Sequence, residues 1–207
     1  MIDLTTVKTI IFDLGGVVVD LDLSLTINAF RDLGIKDPER FIKHGVHSDI
    51  FLKLEIGEIT EEEFYSGIKA LTGRKLSNEE IKSAWCAMFT VLPEKRVRII
   101  EKLKRNHKVL LLSNTNSIHF THFDGMIRGY KSLSDLFHNV YYSFLLHDHK
   151  PNVSVFEKVI EFEKIDPQSA LFLDDAQKNI AAARKTGMHT MLITPDMQME
   201  DVFASIY

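Results

Sequence analysis

One cysteine, Cys86, leaves no partner for an internal disulfide, so no covalent staple holds this chain. Beside Trp85, it reads as core packing. Without disulfides a reducing compartment fits, and a cytoplasmic protein is expected. No apolar run approaches the roughly 20 residues of a membrane span. No basic stretch followed by an apolar one reads as a signal peptide, since the run from Val7 stops at Asp13. Cationic excess is missing too. Lys and Arg number 25 against 29 Asp and Glu, a net charge of −4, so neither nucleic acid nor an anionic membrane is an expected partner. Lys95, Arg96, Arg98, Lys102, Lys104 and Arg105 do cluster, but Glu94 and Glu101 dilute them. They read as the solvated face of a helix. Internal repeats and low-complexity tracts are also absent.

What is there is an ordinary globular composition, 45% hydrophobic and 26% charged over 207 residues. That length suits one domain with a large insertion, or two small domains, and a sizeable core. Thr9-Ile10-Ile11-Phe12 is a short β-rich run that stops at Asp13, with Gly15-Gly16 and then Val17-Val18-Val19 behind it. This reads as a buried strand and a tight turn. From about Ser24 to Thr90 the pattern is helical. Phe41, Ile42, Phe51, Leu52 and Leu54 recur at helical spacing, and Thr60 with Glu63 and Ser77 with Glu80 form capping-box patterns. No β-run is read there.

After Pro93 comes an amphipathic helix, with Val97, Ile100 and Leu103 inward and Lys and Arg outward. Strands follow at Val109–Leu112, near Val140–Tyr142, at Ala170–Leu173 and at Met191–Ile193, with helices between them, one from about Val153 to Lys164. Continuous apolar strands alternating with helices predict a parallel sheet buried on both faces. The fold class expected is α/β, a Rossmann-like parallel-sheet core with an inserted all-helical cap. Residues 1–20 and 93–207 would form the core and residues 21–92 the cap.

Open parallel sheets place ligands at the carboxyl ends of their strands. Those positions hold Asp13, Ser113-Asn114, Lys150-Pro151 and Asp174-Asp175. Singly, each has a structural explanation: a strand end bonded to turn amides, a helix cap, a solvated lysine, acids at a helix N-terminus. Together they supply a nucleophilic carboxylate, a hydroxyl, a cation and an acidic pair. A phosphate monoester repels an anionic nucleophile, and a divalent cation removes that repulsion. Mg²⁺ takes oxygen ligands, which Asp13, Asp175 and the Gly15 carbonyl can offer. Ser113 and Lys150 can hold the transferring group. Attack by Asp13 would form an aspartyl-phosphate that water cleaves.

The segments 12–20 (Phe-Asp-Leu-Gly-Gly-Val-Val-Val-Asp), 111–116 (Leu-Leu-Ser-Asn-Thr-Asn), 149–151 (His-Lys-Pro) and 172–180 (Phe-Leu-Asp-Asp-Ala-Gln-Lys-Asn-Ile) resemble the four motifs of haloacid dehalogenase-like hydrolases. The helical insert resembles that superfamily's cap, with Glu55-Ile56-Gly57-Glu58-Ile59-Thr60 and Phe64 as a recurrent cap pattern. The branch it looks most like contains bacterial glucose-1-phosphate phosphatase-like proteins. The resemblance implies Mg²⁺-dependent hydrolysis of a small phosphorylated substrate by a monomer or homodimer. Asp13 and Lys150 would be catalytic, and Ser113, Asn114 and Lys150 would bind phosphate. Asp13, Gly15 and Asp175 would hold the metal, with Asp174 an outer or alternate ligand.

Gly15 departs from the pattern. Most phosphatases of the superfamily carry there a second Asp that serves as general acid/base. Without it, poor leaving groups should react slowly. His147, Asp148 or His149 is a candidate replacement. Gly15 is also a candidate for positive φ, which would strain a side chain there. His44 and His47, three apart in the cap, read as a solvated face before a metal or substrate site. Three rivals remain: a metal-free 2-haloacid dehalogenase, a phosphomutase, and a catalytically weak binding or regulatory protein on the same fold.

Overall fold

The computed structural model describes residues 4–39 and 49–204. His44, His47, Phe41 and Ile42 lie outside them. The chain begins with strand β1 (Thr9–Phe12) and a short strand β2 (Asp20–Leu21). Among the described residues the helices that follow are α1 (Leu23–Asp32), α2 (Asp49–Glu55), α3 (Glu61–Thr72) and α4 (Asn78–Cys86). Both predicted capping boxes are present. Thr60 and Ser77 each accept from the backbone of the glutamate three residues on, whose carboxylate bonds back.

Then come β3 (Phe89–Val91), α5 (Glu94–Leu103), β4 (Lys108–Ser113) and α6 (Ser117–Asp124). The chain continues through β5 (Asn139–Tyr142), α7 (Ser143–Leu146), α8 (Val153–Glu163) and β6 (Ala170–Asp174). It ends in α9 (Gln177–Arg184), β7 (His189–Leu192) and α10 (Met199–Val202).

Five strands form one parallel sheet in the order β5-β4-β1-β6-β7. Successive side chains on a strand point to opposite faces, and the apolar strands divide accordingly. Ile10, Phe12, Val109, Leu111, Leu171 and Leu173 join one buried cluster. Ile11, Leu110, Leu112, Ala170 and Phe172 join another. The first packs α5, α6 and α10 on one face, and the second packs α8 and α9 on the other. This two-faced burial is why these strands read as unbroken apolar runs. From β1 the chain builds outward through β4 and β5 on one side and through β6 and β7 on the other. The order therefore reverses around β1, the place where such sheets open a crevice.

A third cluster belongs to the insert. Phe30, Leu54, Phe64, Ile68, Ile81, Trp85 and Cys86 bury one another, joined by Ile118 of α6. The Trp85 indole centres it, with Phe51 at 4.9 Å and Phe30 and Phe64 at 6.0 Å. Cys86 packs here as expected. No helix among the described residues is long and apolar enough to cross a membrane.

Two sequence expectations are corrected. The stretch from Ser24 to Thr90 is not free of β-structure, because Phe89–Val91 pairs antiparallel with Asp20–Leu21. A strand of three residues is too short to show a period. Val17–Val19, wholly buried, lies in the tight turn expected there, with Val19 bridging to Gly15. Arg96 is not on a solvated face: it is 4% exposed and ion-pairs with Asp20 at 2.8 Å and Glu200 at 3.1 Å. That pairing joins α5 to β2 and α10, and partners so distant in sequence cannot be seen from spacing.

Candidate active site

Register sets the site. Phe12 lies opposite Leu111 on one side and Leu173 on the other. Asp13 therefore leaves β1 beside the end of β6, where Asp174 stands, while Ser113 ends β4. Lys150 comes from the loop after α7. Its ammonium sits 2.7 Å from Asp13 Oδ1 and 2.7 Å from Asp174 Oδ2, and the side chain is 1% exposed. Asn114 holds that loop in place. Its Nδ2 donates to the Lys150 carbonyl at 2.8 Å, and its Oδ1 accepts from the Lys150 N–H at 2.9 Å. With both ends of its amide spent on the Lys150 backbone, Asn114 orients the lysine.

Asp174 is fully buried and fully bonded. It accepts from the Ala176 N–H at 2.8 Å and from Asn179 Nδ2 at 3.0 Å, besides Lys150. Asp13 Oδ1 accepts from the Leu14 N–H at 2.7 Å as well as from Lys150. Ser113 is buried, its hydroxyl making only a long 3.4 Å contact to the Asn114 carbonyl. The cap of α6 is Asn116, which accepts from the His119 N–H at 3.0 Å. Capping therefore claims neither Ser113 nor Asn114.

The electrostatics show an excess of negative charge. Burial pushes the Asp13 carboxyl up to about 7; Lys150 opposes this and Asp174 adds to it. Asp175 is raised as well, by partial burial and then by Asp174. Burial opposes the Lys150 charge, yet Asp13 and Asp174 outweigh it and hold its pKa above the ordinary value. Asp13, Asp174 and Asp175 bring carboxylate oxygens within 4.8 Å of one another. Three carboxylates face one ammonium, and all the donors are hard oxygens. That set fits a divalent cation of the Mg²⁺ type.

The two glycines differ in kind. Gly16 has φ +72°, and a Cβ there would stand 2.5 Å from Asp175 Oδ2. Gly15 does not have positive φ, contrary to expectation. A Cβ on Gly15 would instead meet Leu21 Cδ1 at 2.4 Å. Leu21 fills the space that a side chain two residues after Asp13 would need.

A cavity of about 190 Å³ opens beside these residues. Gly15, Ser113, Asn114 and Leu21 line it from the sheet side, and Glu55, Trp85 and Met88 line it from the helical insert. A larger open hollow near Lys8 and His107 lies at the amino ends of β1 and β4, away from every carboxylate described above. His119 closes one wall of the 190 Å³ cavity beside the carboxylates, its ring tilted against Trp85 at 4.4 Å. It is 3.1 Å from the Trp85 carbonyl and is held neutral by burial, its pKa down at about 3.

The histidine candidates are otherwise engaged. His147 Nδ1 lies 3.0 Å from the Ile56 carbonyl and His149 Nδ1 lies 2.9 Å from the Lys150 carbonyl. Each ring must carry its proton on Nδ1, which leaves Nε2 an acceptor in the neutral form. For Asp148, burial is outweighed by hydrogen bonds from Ser154, Asn152 and Lys158, and its pKa falls to about 2. Glu55 also lines the cavity, and the sequence placed it only in the cap pattern, with no role beside the carboxylates. A signal existed: an acid on the last residue of a helix works against the helix dipole.

The comparisons with known proteins agree with this geometry. Residues 7–187 match the family described as "Hydrolase: haloacid dehalogenase-like hydrolase". A D-ribitol-5-phosphate phosphatase of Bacteroides thetaiotaomicron is 32% identical over 186 residues, covering 89% of this chain and 90% of that one. A sesquiterpene phosphatase of Aspergillus oryzae is 26% identical, covering 93% of each. A haloacid dehalogenase family enzyme of B. thetaiotaomicron, solved with magnesium and inorganic phosphate, superposes with a TM-score of 0.86 at 31% identity. That match covers 95% of this chain and 99% of the solved one. With an aspartate at the end of β1, a buried lysine bridging it to the acidic end of β6, and a family match across most of its length, the chain belongs to the haloacid dehalogenase-like hydrolases.

Proposed function

We propose that this chain is a magnesium-dependent phosphomonoester hydrolase acting on a small phosphorylated metabolite such as a sugar or polyol phosphate. The observation that carries the reading is the Asp13–Lys150–Asp174 contact beside Asp175 at the sheet's carboxyl edge. Both curated relatives named above are phosphatases. In this reading residues 21–92 are the cap and residues 1–20 and 93–207 the core.

Asp13, Asp175 and the Gly15 carbonyl would hold Mg²⁺, with Asp174 as an outer ligand. Bound there, the ion offsets the repulsion between Asp13 and the phosphate. The rest of the chemistry belongs to the chain. Leu14 N–H and Lys150 fix Oδ1 of Asp13, which holds the carboxylate plane for attack on phosphorus. The Ser113 hydroxyl and the Lys150 ammonium hold the other phosphoryl oxygens as charge grows on them. Three carboxylates would repel a haloacid from a metal-free site, which disfavours the dehalogenase reading.

The test is release of phosphate from sugar phosphates, nucleotides and small organic phosphates, with Mg²⁺ and with EDTA. Release with Mg²⁺ and none with EDTA is expected. Metal-independent halide release, or no turnover of any phosphate ester, would overturn the reading.

Gly16→Ala should weaken Mg²⁺ binding by about 10–100-fold, the usual scale for disturbing the support of a metal ligand. The added methyl both strains a left-handed residue and pushes on the Asp175 carboxylate. A calorimetric titration with Mg²⁺ on the folded variant reads this directly, and unchanged affinity would remove Asp175 from the metal site.

A further inference from the structure

Phosphate-ester cleavage leaves a proton to be supplied. When Asp13 attacks, the bond between phosphorus and the ester oxygen breaks, and that oxygen departs with the electron pair. An alkoxide is a poor leaving group unless it is protonated as it goes. Leu21 fills the space beside Gly15 where a carboxylate would stand, and the Nδ1 protons of His147 and His149 are committed to carbonyls.

Among the described residues lining the cavity, one carries a carboxyl group. Glu55 ends α2 and lines the cavity with Gly15, Ser113 and Asn114. Three contacts with the core hold its backbone there. The Ser143 hydroxyl, itself buried, lies 2.7 Å from the Glu55 carbonyl. His147 bonds the Ile56 carbonyl. Gly57, at φ +70°, brings the turn so close to the Phe144 carbonyl that a Cβ would stand 2.3 Å from its oxygen. The carboxylate, by contrast, makes no hydrogen bond or ion pair with any described residue. Burial raises its pKa, against the nearby charges of His149, Lys150 and Lys178. A firmly placed backbone carrying an uncommitted carboxyl is the arrangement that proton transfer requires.

We propose that Glu55 is the general acid and base of this site, serving from the helical insert in place of a carboxylate two residues after Asp13. The assignment rests on the phosphomonoesterase reading above. In the first half-reaction Asp13 bonds to phosphorus, the ester bond breaks, and the leaving oxygen takes the Glu55 proton, giving an alcohol and a glutamate anion. In the second, that anion takes a proton from water as the water oxygen bonds to phosphorus. The bond between Asp13 and phosphorus breaks with its electron pair returning to Asp13, inorganic phosphate leaves, and Glu55 is again protonated. One residue thus serves both halves and ends as it began.

Glu55→Gln keeps the shape and loses the transferable proton. It should be compared with wild type and with His149→Gln, with Mg²⁺, on an alkyl phosphate and on 4-nitrophenyl phosphate. Stopped flow reads the first turnover and folding is checked by circular dichroism. Wild type should cleave both esters at similar first-turnover rates. In Glu55→Gln, alkyl cleavage should fall by about 10²–10⁴-fold, the usual contribution of general acid catalysis. Nitrophenolate needs no proton, so it should appear in a burst matching the enzyme concentration, followed by a slow steady state that lacks its base. Equal losses on both esters without a burst, or no loss on either, would overturn the assignment. So would the burst pattern appearing in His149→Gln instead. If the wild type hydrolyses no phosphate ester, the phosphomonoesterase reading itself has failed. A Glu55→Gln effect confined to KM would leave that reading intact and make Glu55 a substrate-binding group.

Discussion

Asp13→Asn should lower phosphate release by at least about 10⁴-fold, the scale seen when a covalent nucleophile is removed, and should leave the protein folded. The amide is nearly the same size and shape as the carboxylate, so the packing against Leu14 and Lys150 survives. What it loses is the anionic oxygen that bonds to phosphorus. Stability should not fall with activity. The Asp13 carboxyl is pushed up to about 7 chiefly by burial, which means that its charge is unfavourable in the folded, metal-free protein. A neutral amide removes that charge, and Asp174 still pairs with Lys150. The melting temperature in EDTA at pH 8 is therefore expected to match or exceed that of wild type. Activity within about tenfold of wild type would mean that another residue attacks, and a collapse of folding would mean that Asp13 is structural.

How much of this was readable without coordinates depended on the range of the interaction. The three central strands were legible because each is buried on both faces and so carries an unbroken apolar run, as in Val109–Leu112 and Ala170–Leu173, while the half-buried edge strands β5 and β7 were legible only from shorter apolar stretches in the alternation with helices. Strand ends were legible with them, and in a parallel sheet those ends converge, which placed Asp13, Ser113 and Asp174 together. Lys150 lies in a loop, where no period operates, and it was found by its residue type and chain order. Long-range pairs left no trace. Arg96 looks like its basic neighbours until Asp20 and Glu200 arrive beside it from β2 and α10. The β2–β3 pair spans nearly the whole insert with two or three residues on each side. Gly15 was misjudged because a turn needs positive φ somewhere, and a sequence does not say which of two adjacent glycines supplies it. Glu55 was legible only as part of the cap pattern, because its place at the cavity depends on how the helical insert meets the core.

Lys150→Met should cost about 3–5 kcal/mol, the usual penalty for breaking a buried ion pair on one side. At roughly 2–4 °C per kcal/mol for a chain of this size, the melting temperature in EDTA should fall by about 10 °C. The argument turns on what the substitution leaves behind. Methionine fills much of the volume of the lysine stem and can pack against Phe172, whose ring centroid lies 5.4 Å from the ammonium. The cavity term is therefore small, and the loss is electrostatic. Asp13 and Asp174 are left facing each other in a site with no counter-charge. Two consequences separate this from ordinary loss of packing. Adding Asp174→Asn to Lys150→Met should restore part of the stability, so the double variant would be more stable than the sum of the two single changes. Millimolar Mg²⁺ should stabilise Lys150→Met more than it stabilises wild type, because the cation and the lysine answer the same carboxylates. A loss below about 1 kcal/mol would indicate that the three carboxylates are already neutralised by protonation when Lys150 is removed. The same loss with no recovery in the double variant would indicate that Lys150 stabilises the fold through its stem rather than its charge.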